Sequence, residues 1–429
     1  MSPSSPTRDS TARLARSGAA LAAATLLSGL VGYVFVLIVT RALGPREYGV
    51  LGSLLGVALL ASVTATALQL ELTRAVASGQ AGQVRPLLTR SLIVSAITSA
   101  VIVAAAPVLL AALRLPDVNG VFGLAALLFS QTFVGGLQGI MLGRGKVGAF
   151  GVLLVTTALS RVLAALITVA TDGGSTFTLY VASVTALPPV LLGIWLVARR
   201  PGAADGRGRP GADASAAAAR GAGTYAGLVQ AGAGAGALML LLNADLLAGR
   251  AVLDDTASGH YAFLTIFGRV TFWGTNFIAL WVFPHVAARS DTGRAERAAV
   301  GAIAAIGVTG VAVCWVFGRT LTRLIAGEAY LPAAGYAPAF SAAGALIAVV
   351  QLAIYVDVAR ARRLLIAAVA LAGVALLALI AVLPDPGVGQ VIAVTLGVLG
   401  VVAGLGLWSM HVGRARQAPG FVVPPESPL

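Results

Sequence analysis

The chain has 429 residues, of which 58% are hydrophobic and only 10% charged, with a mean hydropathy of +0.92. A soluble domain carries roughly 25% charged residues, so a water-soluble globule is excluded, and a lone cysteine excludes a disulfide scaffold within the chain. The net charge of +13 suggests nucleic-acid binding only until the basic residues are placed along the chain.

A helix crossing the hydrocarbon core needs about 20 mostly apolar residues. Twelve such stretches follow one another, over roughly 17–40, 48–70, 88–113, 121–143, 148–170, 177–198, 224–249, 260–285, 298–318, 337–358, 364–383 and 388–411. They are too long and continuous for barrel strands of about ten alternating residues. In lipid each span must satisfy its own backbone hydrogen bonds. The expected fold is therefore all-α and polytopic, with about 12 transmembrane helices. The first apolar run follows Arg8, Arg13 and Arg16 and is about 23 residues long, beyond the roughly 7–15 of a signal peptide. It is expected to stay in the membrane.

The only long polar stretch between spans, 199–223, is rich in Gly, Ala, Pro and Arg and reads as a cytoplasmic linker. It divides the chain into an N-terminal six-helix bundle over 1–198 and a C-terminal one over 224–411, with a cytoplasmic tail at 412–429. With the N-terminus inside, 21 basic residues fall on the cytoplasmic side and 6 outside, while Arg161 and Arg269 stay within spans. The positive charge thus records topology. Attraction to anionic membrane lipids is a secondary effect, and no nucleic-acid partner is expected.

A weak repeat relates the halves. REYGVLGSLLGV at 46–57 matches TASGHYAFLTIFGRV at 256–270, which aligns Gly49 with Gly259. An even number of spans per half gives both halves the same orientation, related by an axis along the membrane normal, as in alternating-access transporters. AGAGAGA at 231–237 and the series Gly135, Gly139 and Gly143 read as small-residue faces where helices approach closely.

No phosphate-binding loop is complete, and the three histidines and Cys314 are scattered, so neither a metal site nor another cofactor is expected. Ionisable residues inside spans are costly and face a cavity or a partner. Arg161 has no local partner and is expected to face a cavity, where a guanidinium suits phosphate. Asp245 and Arg269 lie at similar depth on consecutive helices and either pair with each other or serve a substrate or coupling ion. Glu71 with Arg74, and Asp357 with Arg360, have the i,i+3 spacing of ion pairs near a helix end.

RALGPREYGVLGSLLGV at 41–57 resembles the start of bacterial polysaccharide-biosynthesis membrane proteins. These are the lipid-linked oligosaccharide flippases of the multidrug/oligosaccharidyl-lipid/polysaccharide exporter superfamily. LELTRAVA at 70–77, NADLLAGRAVLDDTASGHYAF at 243–263, GRVTFWGTNFIALWVFPHVAAR at 268–289 and GEAYLPAAGYAP at 327–338 are similar to later parts of that family, in order. The resemblance implies two six-helix bundles around a central cavity in the bacterial plasma membrane, with both termini cytoplasmic. The implied cargo is a polyprenyl-pyrophosphate-linked glycan moved to the outer leaflet, with a polysaccharide polymerase or glycosyltransferases as partners. On this reading Arg161 and Arg269 hold the pyrophosphate or acidic sugars, Arg74 acts at the cytoplasmic mouth and Arg41 at the outer one. Asp245, Glu71 or Asp357 would couple to H+ or Na+. A drug/cation antiporter of the same superfamily is the alternative. A membrane polymerase or ligase is a weaker one, since the outer loops are short.

Overall fold

In a computed structural model of the chain, the described residues are 8–79, 84–199, 225–287, 292–359 and 364–415. All but the first residue of the linker expected at 199–223 and most of the expected tail lie outside them. Every described element is helical. In chain order they are α1 (Arg8–Ala77), α2 (Val84–Ala104), α3 (Ala106–Leu113), α4 (Asn119–Gly143), α5 (Val147–Ala170), α6 (Ser175–Thr185) and α7 (Leu187–Ala198). After the undescribed stretch come α8 (Tyr225–Val252), α9 (Asp255–Ala287), α10 (Thr292–Ile325), a 3-10 helix (Glu328–Tyr336), α11 (Ala337–Ala359), α12 (Leu364–Ala381) and α13 (Val388–Ala415). Among the described residues, ten helices are long and apolar enough to cross a membrane. The first of these contains two of the expected spans, because α1 turns at Gly44.

That turn follows from three residues. Gly44 takes φ 68° and ψ 175°, a backbone open to glycine and extended enough to precede proline. Pro45 then opens the second half of α1, where its fixed φ suits a first helical turn. No loop separates the first two spans, because one glycine makes the corner. Ser28, before the corner, and Ser62, after it, line the same cavity, so the two halves fold back on each other. Prolines also mark the other breaks. Pro107 follows the interruption between α2 and α3 at Ala105, and Pro188 and Pro189 follow the one between α6 and α7 at Ala186.

The helices form two lobes, α1–α7 and α8–α13. In the first, α4 is the central helix, buried on most of its surface. Its glycines explain how it gets there. A Cβ on Gly139 would overlap the Gln69 carbonyl, and one on Gly143 would lie 2.6 Å from Val76 Cβ, so α4 and α1 approach at backbone distance. Thr73 uses this closeness, its hydroxyl lying 2.7 Å from the Gln69 carbonyl and 3.1 Å from that of Gly139. In the second lobe, Gly234 of the AGAGAGA run packs against Ile354 and Ile366. Outward faces carry bare apolar side chains such as Val308, Leu364 and Trp315, which is 80% exposed. Contiguous apolar surface of this kind belongs against lipid. At the end expected to face the cytoplasm, Arg144 and Lys146 donate to the last carbonyls of α7 at Val197 and Leu196 and to that of Arg199, which caps it. Burial pulls the Arg144 guanidinium below its ordinary value.

Candidate functional site

Three helices of the first lobe each turn one stripe toward a common space. On α1 the stripe is Ser62, Ala65, Thr66 and Gln69; on α4 it is Gln131, Val134, Gly135 and Gln138; on α5 it is Leu154, Thr157, Ala158 and Arg161. Each set repeats the i, i+3, i+4, i+7 spacing of a single helix face. Together with Ser28 they enclose a cavity of about 220 Å³. Drug-sized ligands occupy pockets of roughly 300–1,000 Å³, so this cavity takes a polar group or a small compound.

Its chemistry is lopsided. Arg161 is half-buried and has no hydrogen-bond or ion-pair partner among the described residues. No carboxylate is among the described residues lining the cavity. The hydroxyls of Ser62, Thr66 and Thr157 donate back to carbonyls of their own helices, at 2.6, 3.1 and 2.7 Å. This leaves their oxygen lone pairs as acceptors. Gln69, Gln131 and Gln138 are half-buried, and their carboxamides have no hydrogen-bond partner among the described residues. The space therefore offers one fixed cation and several donor–acceptor amides, which suits an anionic or neutral polar group and disfavours a cation.

The three glutamines do not figure among the charged residues singled out in the sequence. Their signal was there, since Gln131 and Gln138 stand seven apart inside an apolar span, the spacing of one helical face.

Arg269 lies elsewhere, on α9 of the second lobe. Its terminal nitrogen donates to Asn243 Oδ1 of α8 at 3.0 Å, and its Nε is buried without a partner among the described residues. Tyr33 and Tyr48 of α1 are within its electrostatic reach. Of the two arrangements open for Asp245 and Arg269, a direct ion pair does not form. Asp245 instead accepts a 2.8 Å hydrogen bond from the Tyr261 hydroxyl, which lies 3.4 Å from Thr395 Oγ1 of α13. All three are buried. Removing the donor in Tyr261→Phe leaves a buried carboxyl underpaired, and the expected cost is about 1–3 kcal/mol. Thermal unfolding in detergent checks this, with Phe263→Leu as a packing control.

The remaining candidates sit toward the ends of the helices. Glu71 is half-exposed and pairs with Arg90 of α2 at 3.6 Å. Arg74, its expected i,i+3 neighbour, is half-buried five residues beyond Gln69 and does not line the cavity. Asp357 is buried and accepts from Ser409 Oγ at 3.0 and 3.2 Å, while Arg360 falls outside the described residues. Arg41 is exposed beside the Gly44 corner and donates to the Leu324 carbonyl at 3.4 Å. Of the four arginines expected to bind substrate, only Arg161 lines the cavity.

The lobes meet at the end expected to face outward. A Cβ on Gly259 would overlap the Pro45 carbonyl, and one on Gly49 would lie 2.9 Å from Ser258 Oγ and 3.0 Å from the Gly259 nitrogen. The two glycines aligned by the internal repeat thus pack against each other across the lobe interface, the arrangement that a pseudo-two-fold axis along the membrane normal would produce.

No protein-family profile and no curated protein matches the chain. Solved structures do. An inward-facing multidrug resistance MATE family transporter of the MOP superfamily superposes with a TM-score of 0.70 at 14% identity, over 92% of this chain and 96% of that one. The chain has the MATE transporter fold. An outward-facing transporter of the same description gives a TM-score of 0.54 at 15% identity, over 94% of this chain and 96% of that one. A Pyrococcus furiosus MOP superfamily transporter, described as having a binding pocket of reversed polarity that suggests a different function, gives 0.54 at 15% identity, over 95% and 96%. The MATE-like architecture of two lobes agrees with the all-α polytopic bundle expected from the spans.

Proposed function

We propose that this protein is an alternating-access transporter of the plasma membrane that exports small amphipathic compounds in exchange for an ion. The overall fold supports the drug-antiporter reading over glycan flipping. The cavity of the first lobe carries the proposal further. With Arg161 and three carboxamides and no carboxylate on its walls, it suits anionic or neutral polar cargo, whereas cation export calls for acidic walls. Asp245 is the best-placed group for H+ or Na+ coupling. It is buried and held by the neutral Tyr261 hydroxyl rather than by an ion pair. Glu71 and Asp357 are weaker choices, one paired with Arg90 and the other held by Ser409.

One observation favours the second reading, export of a polyprenyl-pyrophosphate glycan. A guanidinium inside the membrane binds phosphate bidentately, and a cavity of about 220 Å³ accommodates such a head while sugars and lipid tail lie outside it. Polymerase or glycosyltransferase partners belong to this reading alone. Both readings place the termini in the cytoplasm, on the strength of the basic-residue bias.

Proteoliposomes loaded with fluorescein or with ethidium test the first reading. Gradient-driven transport of the anionic dye in preference to the cationic one is expected. No transport of either dye, combined with lipid-linked glycan accumulating on the cytoplasmic leaflet of cells lacking the protein, would establish the second reading instead.

A further inference from the structure

We infer that the outer gate is a pair of arginine-to-carbonyl latches related by the internal two-fold repeat, and that they are unequal: the Arg250 latch holds the gate and the Arg41 latch yields first. This rests on the alternating-access reading.

The symmetry is visible in the chain positions. Arg41, at the end of the first half of α1, donates to the Leu324 carbonyl at the end of α10. Arg250, in the last turn of α8, donates through Nε to the Leu113 carbonyl at the end of α3, at 2.9 Å. The arginines are 209 residues apart and the leucines 211, against 210 for Gly49 and Gly259. A return contact accompanies each crossing. Tyr330, beyond α10, donates its hydroxyl to the Thr40 carbonyl at 3.2 Å. Arg114, beyond α3, donates to the carbonyls of Arg250, at 2.9 Å, and Leu253. Thr40 and Arg250 are again 210 residues apart. Each latch therefore ties together helix C-termini of opposite lobes, whose unpaired carbonyls carry partial negative charge.

The two latches differ in their surroundings. Arg250 is 3% exposed and also reaches Ser258 Oγ at 2.7 Å, Asp255 at 3.1 Å and the Arg114 carbonyl at 3.4 Å. Arg41 is exposed and makes, among the described residues, a single bond of 3.4 Å. A charge-assisted bond in a dry site holds far more strongly than one in water. Arg46 and Asp255, 3.4 Å apart on the exposed rim, add little.

The test places spin labels on Thr171→Cys and Ala381→Cys, exposed at the outer ends of α5 and α12, in a Cys314→Ser background, and reads inter-lobe distances in the purified full chain. The expected result is a longer-distance population that rises about tenfold or more relative to the short one in Arg250→Ala, and about threefold or less in Arg41→Ala. Arg250→Lys keeps the charge but cannot span the carbonyl, Ser258 and Asp255 together, so it should fall between them; it serves alone if the alanine variant does not fold. An Arg41→Ala effect equal to or larger than that of the Arg250 variant overturns the inference, and so does an unchanged distance in both. Failure of the transport reading looks different. The distances would respond as stated while the wild-type chain moved neither dye nor glycan.

Discussion

Replacing Arg161 by leucine is expected to make the protein more stable and to abolish most of its transport. A guanidinium near the middle of a membrane helix costs about 2.5–3.5 kcal/mol on insertion scales. Arg161 recovers none of this from an ion pair or hydrogen bond among the described residues, and only the water-accessible cavity relieves it. Allowing for that access, Arg161→Leu should gain about 1–2 kcal/mol, read as a higher unfolding temperature in detergent. Cargo loses a charge-assisted hydrogen bond worth about 1.5–3 kcal/mol, so dye or glycan transport should fall about 10–100-fold at unchanged protein level in the membrane. Arg161→Lys keeps the charge without the planar fork and should retain part of the activity. A destabilised leucine variant with normal transport would make Arg161 a structural residue and remove it from the site.

The second large effect is expected at Gly259. Its backbone meets the Pro45 carbonyl so closely that a Cβ has no room. Because the contact lies between lobes rather than within one, strain from Gly259→Val can be relieved by parting the outer ends and leaving each lobe folded. Overpacking of a tight contact costs about 1–3 kcal/mol, enough to shift the inward-to-outward balance about 5–150-fold. Outer-end cysteines should then label faster and transport should stall in an outward-open state. Gly49→Ala, whose Cβ would meet the Ser258 hydroxyl and the Gly259 backbone at about 3 Å, should act in the same direction with a smaller effect. If Gly259→Val unfolded the protein without any change in labelling pattern, the contact would belong to the core of a single body rather than to a gate.

Why the sequence reaches some of these features and not others is clear from particular residues. The spans were legible because lipid leaves the backbone no alternative to the helix. Residues 121–143 and 388–411 read from hydropathy correspond closely to α4 and α13. The corner at Gly44 was legible as a break but not as a one-residue one, since a Gly-Pro pair fits a loop as well as a kink. Glu71 has Arg74 at helical spacing and yet takes Arg90 of a neighbouring helix, because packing brings a third group closer than the local periodicity does.

By itself the sequence determined that the chain lives in lipid, that it crosses many times, and that Arg161 and Arg269 are stranded inside spans. Those are consequences of solvation, which acts on each segment separately. Only the tertiary structure decided that Arg161 opens onto a cavity with three glutamines while Arg269 is tied to Asn243. It also decided that Asp245 is held by Tyr261 and that Arg41 and Arg250 reach across to the opposite lobe. Those pairings depend on which helix faces meet, whether the partners are 16 residues apart, as Asp245 and Tyr261 are, or 283, as Arg41 and Leu324 are, and no local spacing records that.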